Sequence, residues 1–242
     1  MPQAKDLDDG FEHDRMSRRT GRRLESFLQQ LTSGDRAGCR DTLREFMDEG
    51  HDAADAMRSL VWPACGIVDA LSRRDQIAAV AEHAAIVLLS QLVQRLECGL
   101  PRQPARCRTV VVTSGRAPVE ELGGEILAGL VEASGFDTVF LGGGVESDDL
   151  YEEVGRRSPA FVLSFAGSGP DAPRLRRFID AVRANDPVPG LRIGVGGGVF
   201  SRAPGLADEI GADFSGDSPF ELVEALCALS RPGGYGHRAR AA

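Results

Sequence analysis

Apolar positions follow two different rhythms along this chain. From Arg22 to Glu97 they return every three or four residues, as on one face of a helix. Leu24, Phe27, Leu28 and Leu31 share such a face, and the segment stops at Ser33-Gly34-Asp35. A second helix is expected over Arg36–Glu49, with Cys39, Leu43, Phe46 and Met47 inward and Gly50 as its stop. A third begins near Asp52 and carries Met57, Leu60 and Val61, then Ile67, Val68 and Leu71. Pro63 lacks an N–H and is expected to bend or break it. The fourth, Gln76–Glu97, is apolar over most of its circumference and is expected to be the most buried. Four helices with short connections predict a bundle over residues 22–99.

After a proline-stiffened linker, 100–107, the rhythm changes to short β-branched runs alternating with helical segments. Strand Thr109–Thr113 leads to a helix opened by Gly123 and Gly124 and closed by Gly135. Strand Thr138–Leu141, helix Ser147–Ser158, strand Ala160–Phe165 and helix Ala172–Asn185 follow. Strand Arg192–Gly196, helix Ala203–Ile210, a short strand near Ala212–Phe214 and helix Pro219–Leu229 complete the domain, 108–230. Such alternation predicts a parallel sheet with helices on both faces. Residues 1–21 are charged and apolar-poor, which predicts a mobile arm, and 231–242 have no apolar period, which predicts a loose tail.

Composition narrows the function classes. A chain of 242 residues with a formal charge of −8 is not built around a polyanion, and direct nucleic-acid binding is not expected. The five cysteines are scattered without a CxxC pair, as for free thiols in a reducing cytoplasm. No apolar run is long enough to span a bilayer, and the amino terminus has no signal-peptide core.

Three loops are expected at the carboxyl edge of the sheet, where open α/β sheets bind ligands. The first is Ser114–Gly123, after the first strand. The second is Ser164-Phe165-Ala166-Gly167-Ser168-Gly169, and the third Gly196-Gly197-Gly198-Val199-Phe200. Their small residues predict bare backbone and room for a bulky ligand. No GxGxxG follows the first strand and no P-loop lysine is present. Adjacent Glu120 and Glu121 are candidates for an acid–base pair or, more simply, for complementing a helix dipole. Cys98 and Cys107 flank the linker, where either is a candidate for bilin attachment.

This arrangement resembles the cobalamin-binding domains, whose motif is D-x-H-x-x-G, then a serine about forty residues on, then a glycine pair at the fourth strand. Gly123 matches the motif glycine, Ser164 follows 41 residues later, and Gly196-Gly197 supplies the pair. The resemblance implies an α/β fold class: an N-terminal four-helix bundle as cap, then a flavodoxin-like doubly wound five-stranded parallel sheet. It implies that Ser164, Gly196 and Gly197 line the slot for the nucleotide tail of the corrinoid, with Ser114, Ala166, Gly198 and Phe200 nearby. The motif histidine, however, falls on Glu120 and the motif aspartate on Pro118. The lower cobalt ligand of the family is therefore missing, since a neutral imidazole backed by a carboxylate is what such a metal takes.

The helical half resembles the caps of cobalamin-dependent photoreceptors, in which a tryptophan ten residues before a Glu-His pair covers the corrinoid. Here the pair is Glu82-His83 and the tryptophan position is Ser72. The resemblance makes His83 the candidate metal ligand, on the upper face; His13, His51 and His237 read as solvent-facing. It further implies a tetrapyrrole-sized cleft between the two halves. The ligand would be cobalamin, adenosyl- or hydroxo-, with haem or bilin as alternatives. The function implied is a light-, redox- or ligand-responsive sensor of the stand-alone antirepressor kind, acting on a protein partner such as a transcriptional repressor, with homo-oligomerisation possible. The alternatives are a corrinoid shuttle subunit of a methyltransferase system and a scaffold that binds no tetrapyrrole.

Overall fold

The computed structural model describes residues 4–231, with side chains from Arg19 onward. The chain divides between Gly99 and Leu100 into two compact units.

The first unit is helical. Helix α1 spans Ala4–Ser33, so it runs through most of the stretch expected as a mobile arm. Helix α2 spans Arg36–Asp48, capped by Asp35, whose carboxylate accepts from the Gly38 N–H at 2.9 Å. Helix α3, Ala53–Ala56, opens on a reciprocal cap in which Asp52 and Asp55 each bond the other's backbone N–H. It passes through a π turn, Met57–Val61, directly into α4, Trp62–Arg73. Pro63 therefore does not break the helix. The turn widens just before the ring, with the Trp62 N–H reaching back to the Met57 carbonyl. Helix α5 spans Ala79–Glu97.

Phe27, Leu31, Leu60, Val68, Leu89 and Val93 are fully buried in this unit, each worth about 1.5–3 kcal/mol of burial. Helix α5 is less enclosed than its composition suggested: Val80 is 81% exposed and Val87 43%, and His83 and Ala84 are exposed with them. The thiols of Cys39 and Cys65 are buried, and desolvation pushes them up to about 11 and about 12, so both stay neutral. His51 does not face solvent freely but stacks on Phe46 at 4.1 Å. The side chains of His13 and His237, and the expected loose tail from residue 232, lie outside the described residues.

The second unit is a five-stranded sheet with every pair parallel, in the order β2-β1-β3-β4-β5. Its strands are β1 Thr109–Ser114, β2 Asp137–Gly143, β3 Phe161–Phe165, β4 Arg192–Gly196 and β5 Phe214–Gly216. The helices are α6 Pro118–Ala133, α7 Ser147–Arg157, α8 Asp171–Asn185, α9 Gly198–Arg202, α10 Leu206–Glu209 and α11 Pro219–Leu229. This is the doubly wound flavodoxin order, and its direction reverses between β1 and β3.

Two expected boundaries are corrected. Helix α6 starts at Pro118, five residues before the expected opening, because proline suits a first turn whose N–H groups have no intrahelical partner. The expected helix Ala203–Ile210 shrinks to α10, Leu206–Glu209, which starts after Gly205, whose φ is +89°, and a separate short helix, α9, forms ahead of it in the expected loop Gly196–Phe200 and runs on to Arg202.

Candidate functional site

The carboxyl ends of β1, β3 and β4 bring the three glycine-containing loops side by side, as their order requires. They are not open. The Phe165 carbonyl accepts from the Gly115 N–H at 2.9 Å, and the Gly196 carbonyl from the Ala166 N–H at 2.8 Å. The glycines let side chains and backbone close in rather than leaving room for a ligand. A Cβ on Gly123 would stand 2.3 Å from the Phe165 ring, so the motif glycine in α6 is where that ring packs. A Cβ on Gly197, whose φ is +103°, would stand 2.3 Å from the Ala166 carbonyl oxygen. Arg202 closes over the third loop, donating to the Gly167 carbonyl at 2.5 Å and lying against Gly198. The bare backbone and open room expected here are thus corrected: Phe165, Glu120 and Arg202 occupy them.

Glu120 is the most informative residue of this edge. It stands at the motif histidine position and is only 6% exposed. One carboxylate oxygen accepts from the Ala117 N–H at 3.0 Å, and the Gly167 N–H also bonds the group. A Cβ on Gly115 or Gly167 would collide with this carboxylate, at 1.9 and 2.7 Å, so the two glycines form its seat. Burial pushes the Glu120 carboxyl above the usual carboxylate range, and neighbouring Asp171 adds to the rise. The Ala117 and Gly167 N–H groups and Arg174 pull the other way. Glu121, by contrast, is exposed, so the adjacent pair is not one acid–base unit.

Asp171 and Arg174 escaped the sequence reading. Asp171 is 4% exposed, accepts from the Ser168 hydroxyl at 2.5 Å, and pairs with Arg174 at 2.6 Å. The Ser168-x-x-Asp171 spacing before a helix was the available signal, since it is that of a capping box.

Between Ser114 and Ser164 the sheet edge retains a cavity of about 10 Å³, bordered by Thr113, Arg174 and Phe178. The Ser114 hydroxyl is buried there without a hydrogen-bond partner. Ser164 and Ala166 are buried, and Phe200 is 6% exposed. Ser114, Ser164, Ala166, Gly196, Gly197, Gly198 and Phe200 are therefore gathered at one edge, as the spacing implied. In the helical unit the ten-residue spacing also brings its pair together, for the Ser72 hydroxyl donates to Glu82 at 2.5 Å. His83 is exposed beside them. Among the described residues no group of three or more His, Cys, Asp or Glu is placed to hold a metal ion, and no helix is long and apolar enough to cross a membrane.

Measured against a corrinoid, this edge fits in part. The orphaned Ser114 hydroxyl and the neighbouring Ser164 offer polar groups. The donor set does not include a lower imidazole, the Glu120 carboxylate is committed to backbone N–H groups, and a cavity of about 10 Å³ is too small for a nucleotide base.

Comparison with known proteins agrees with this architecture. Residues 108–224 match the family model of the B12 binding domain. The Methanosarcina barkeri monomethylamine corrinoid protein superposes with a TM-score of 0.69 at 15% identity, over 84% of this chain and 96% of that one. A cobalamin-binding protein from Desulfitobacterium hafniense DCB-2 gives a TM-score of 0.45 at 20% identity, over 86% of this chain and 98% of that one. The methanol:cobalamin methyltransferase complex of Methanosarcina barkeri gives 0.45 at 16% identity, over 86% and 80%. A search of curated protein sequences finds no significant match. The α/β unit, which follows the helical unit in the chain, thus has the strand order of a doubly wound sheet and matches the B12 binding domain family over residues 108–224.

Proposed function

We propose that this protein binds a corrinoid that keeps its own nucleotide base on the cobalt, and that it acts as a ligand-responsive regulator through contact with a protein partner. The observation that carries this reading is the seat of Glu120. At the position where relatives of the motif place an imidazole, this chain places a carboxylate wedged between Gly115 and Gly167 and bonded to two backbone N–H groups. Such a group is unavailable as a cobalt donor, and Pro118 removes the carboxylate that would orient an imidazole. The closed packing at Ser114 and Ser164 further supports a ligand whose base is not threaded into the sheet edge.

When bound, the corrinoid would supply a cobalt able to exchange a ligand. His83, exposed on α5, is the imidazole we assign to it, and the Ser72–Glu82 hydrogen bond beside it fixes the local helix ends. The partner we favour is a transcriptional repressor, by resemblance to the antirepressors. Shuttling of methyl groups, the activity named for the methyltransferase systems, is the alternative; Glu120 in place of an imidazole counts against it. The reading is tested by titrating the purified chain with hydroxocobalamin, adenosylcobalamin and haem while recording absorption. A saturable shift with a cobalamin, altered in His83→Ala, is expected. A shift with haem alone, or none at all, overturns the corrinoid reading, and a shift indifferent to His83→Ala removes that residue from it.

A further inference from the structure

We propose that the α/β unit carries a second ligand site, at the amino-terminal edge of its sheet, which takes a small molecule bearing a phosphate or diphosphate group joined to an apolar part. This edge is opposite the one that holds Glu120. It contains a cavity of about 580 Å³, within the range of small-molecule sites.

Its charge is the first argument. The charged residues lining it are Arg108, Arg192 and Asp213. Asp213 is already neutralised: its carboxylate accepts from Arg183 at 2.6 Å and from the Ile193 N–H at 2.6 Å. Arg108 and Arg192 have no ion pair or side-chain hydrogen bond among the described residues. Two uncommitted guanidiniums thus face one concavity in a chain whose formal charge is −8. The carbonyl ends of α7, α8 and α11 also reach this edge. Each carries about half a negative charge, and each is partly satisfied by its capping N–H, so the concavity remains positive.

Strand register is the second argument. Val110 pairs with Phe161, and Phe161 with Arg192, so these three project from the same face of the sheet. Arg108, two residues before Val110, projects from that face too by the alternation of a strand. The backbones of Arg108 and Arg192 are two strand spacings across and two residues along from each other, roughly 12 Å. Long side chains from that separation can converge on one phosphate or bracket a diphosphate, and the planar fork of arginine suits either. Thr109 and Ser158 add polar wall beside the guanidiniums, and Pro159, Val188, Leu191 and Leu229 supply the contact for an apolar part.

Inorganic pyrophosphate and ADP are the probes. Calorimetric titration of the full chain is expected to show saturable binding of both in the millimolar range or tighter, with ADP the tighter. Arg108→Gln and Arg192→Gln are each expected to weaken ADP binding by about tenfold or more, the size of one lost charge-assisted hydrogen bond. A second readout needs no variant. Cys107 lines the cavity and is exposed, while exposed Cys98 lies outside it, so ADP is expected to slow alkylation of Cys107 several-fold and leave Cys98 unchanged. No saturation with either probe, equal affinity for the two, binding within tenfold of the original in either variant, or unprotected Cys107 each overturns the proposal.

Discussion

Replacement of Glu120 probes the seat on which the functional reading rests. Glu120→Ala strips the acceptor from the Ala117 and Gly167 N–H groups and leaves both facing a small void. An unsatisfied buried donor costs about 1–3 kcal/mol. Part of that is offset, because a desolvated charge beside Asp171 disappears with the side chain. The net is a loss of about 2 kcal/mol, or a Tm lowered by about 4–8 °C for a chain of this size. Glu120→Gln separates the charge from the hydrogen bonding. Because burial raises the folded-state pKa above the unfolded one, the folded protein binds the proton more tightly. The contribution of Glu120 to stability is thus fully present below the usual carboxylate range and is lost as pH rises through the folded value. Glu120→Gln, which cannot ionise, should gain stability relative to the parent chain as pH is raised from about 4 to about 8. Thermal unfolding followed by far-ultraviolet circular dichroism across that range measures both effects. An alanine variant as stable as the parent, or a glutamine variant that loses ground with rising pH, would refute the reasoning.

Two further substitutions test the packing around the sites. Gly197→Ala places a Cβ 2.3 Å from the Ala166 carbonyl at a φ of +103°, and should cost about 3 kcal/mol, read as a lower denaturant midpoint with an unchanged slope. Ser72→Ala removes the hydrogen bond to Glu82 and should lower stability by about 1 kcal/mol in the same assay, without changing the secondary structure.

The parallel sheet was legible because buried strands such as Val110-Val111-Val112 and their intervening helices carry distinct periods. The strand Arg192–Gly196 and the helix Pro219–Leu229 were expected at the boundaries they have. What the pattern missed turns on tertiary contact. Gly123 and Gly124 were read as a helix start; α6 begins earlier, at Pro118, and these two lie inside it where Phe165 and Ser114 press close. The glycines of the three loops were read as room, and proved to be the places where Glu120, Phe165 and Arg202 fit. A residue's smallness says that something comes close, and only the fold says what. Val80 and Val87 illustrate the opposite error, since an apolar helix surface in the sequence does not reveal that it stays uncovered in its own unit.

The claim on which the rest depends is that no protein nitrogen serves as the lower ligand. It is tested most directly by the electron paramagnetic resonance of cob(II)alamin bound to the His83→Ala chain, with the protein's nitrogen isotopically replaced. The account predicts a bound spectrum whose axial nitrogen splitting is unchanged by the protein label, because that nitrogen belongs to the cofactor. A splitting that changes with the label would contradict it.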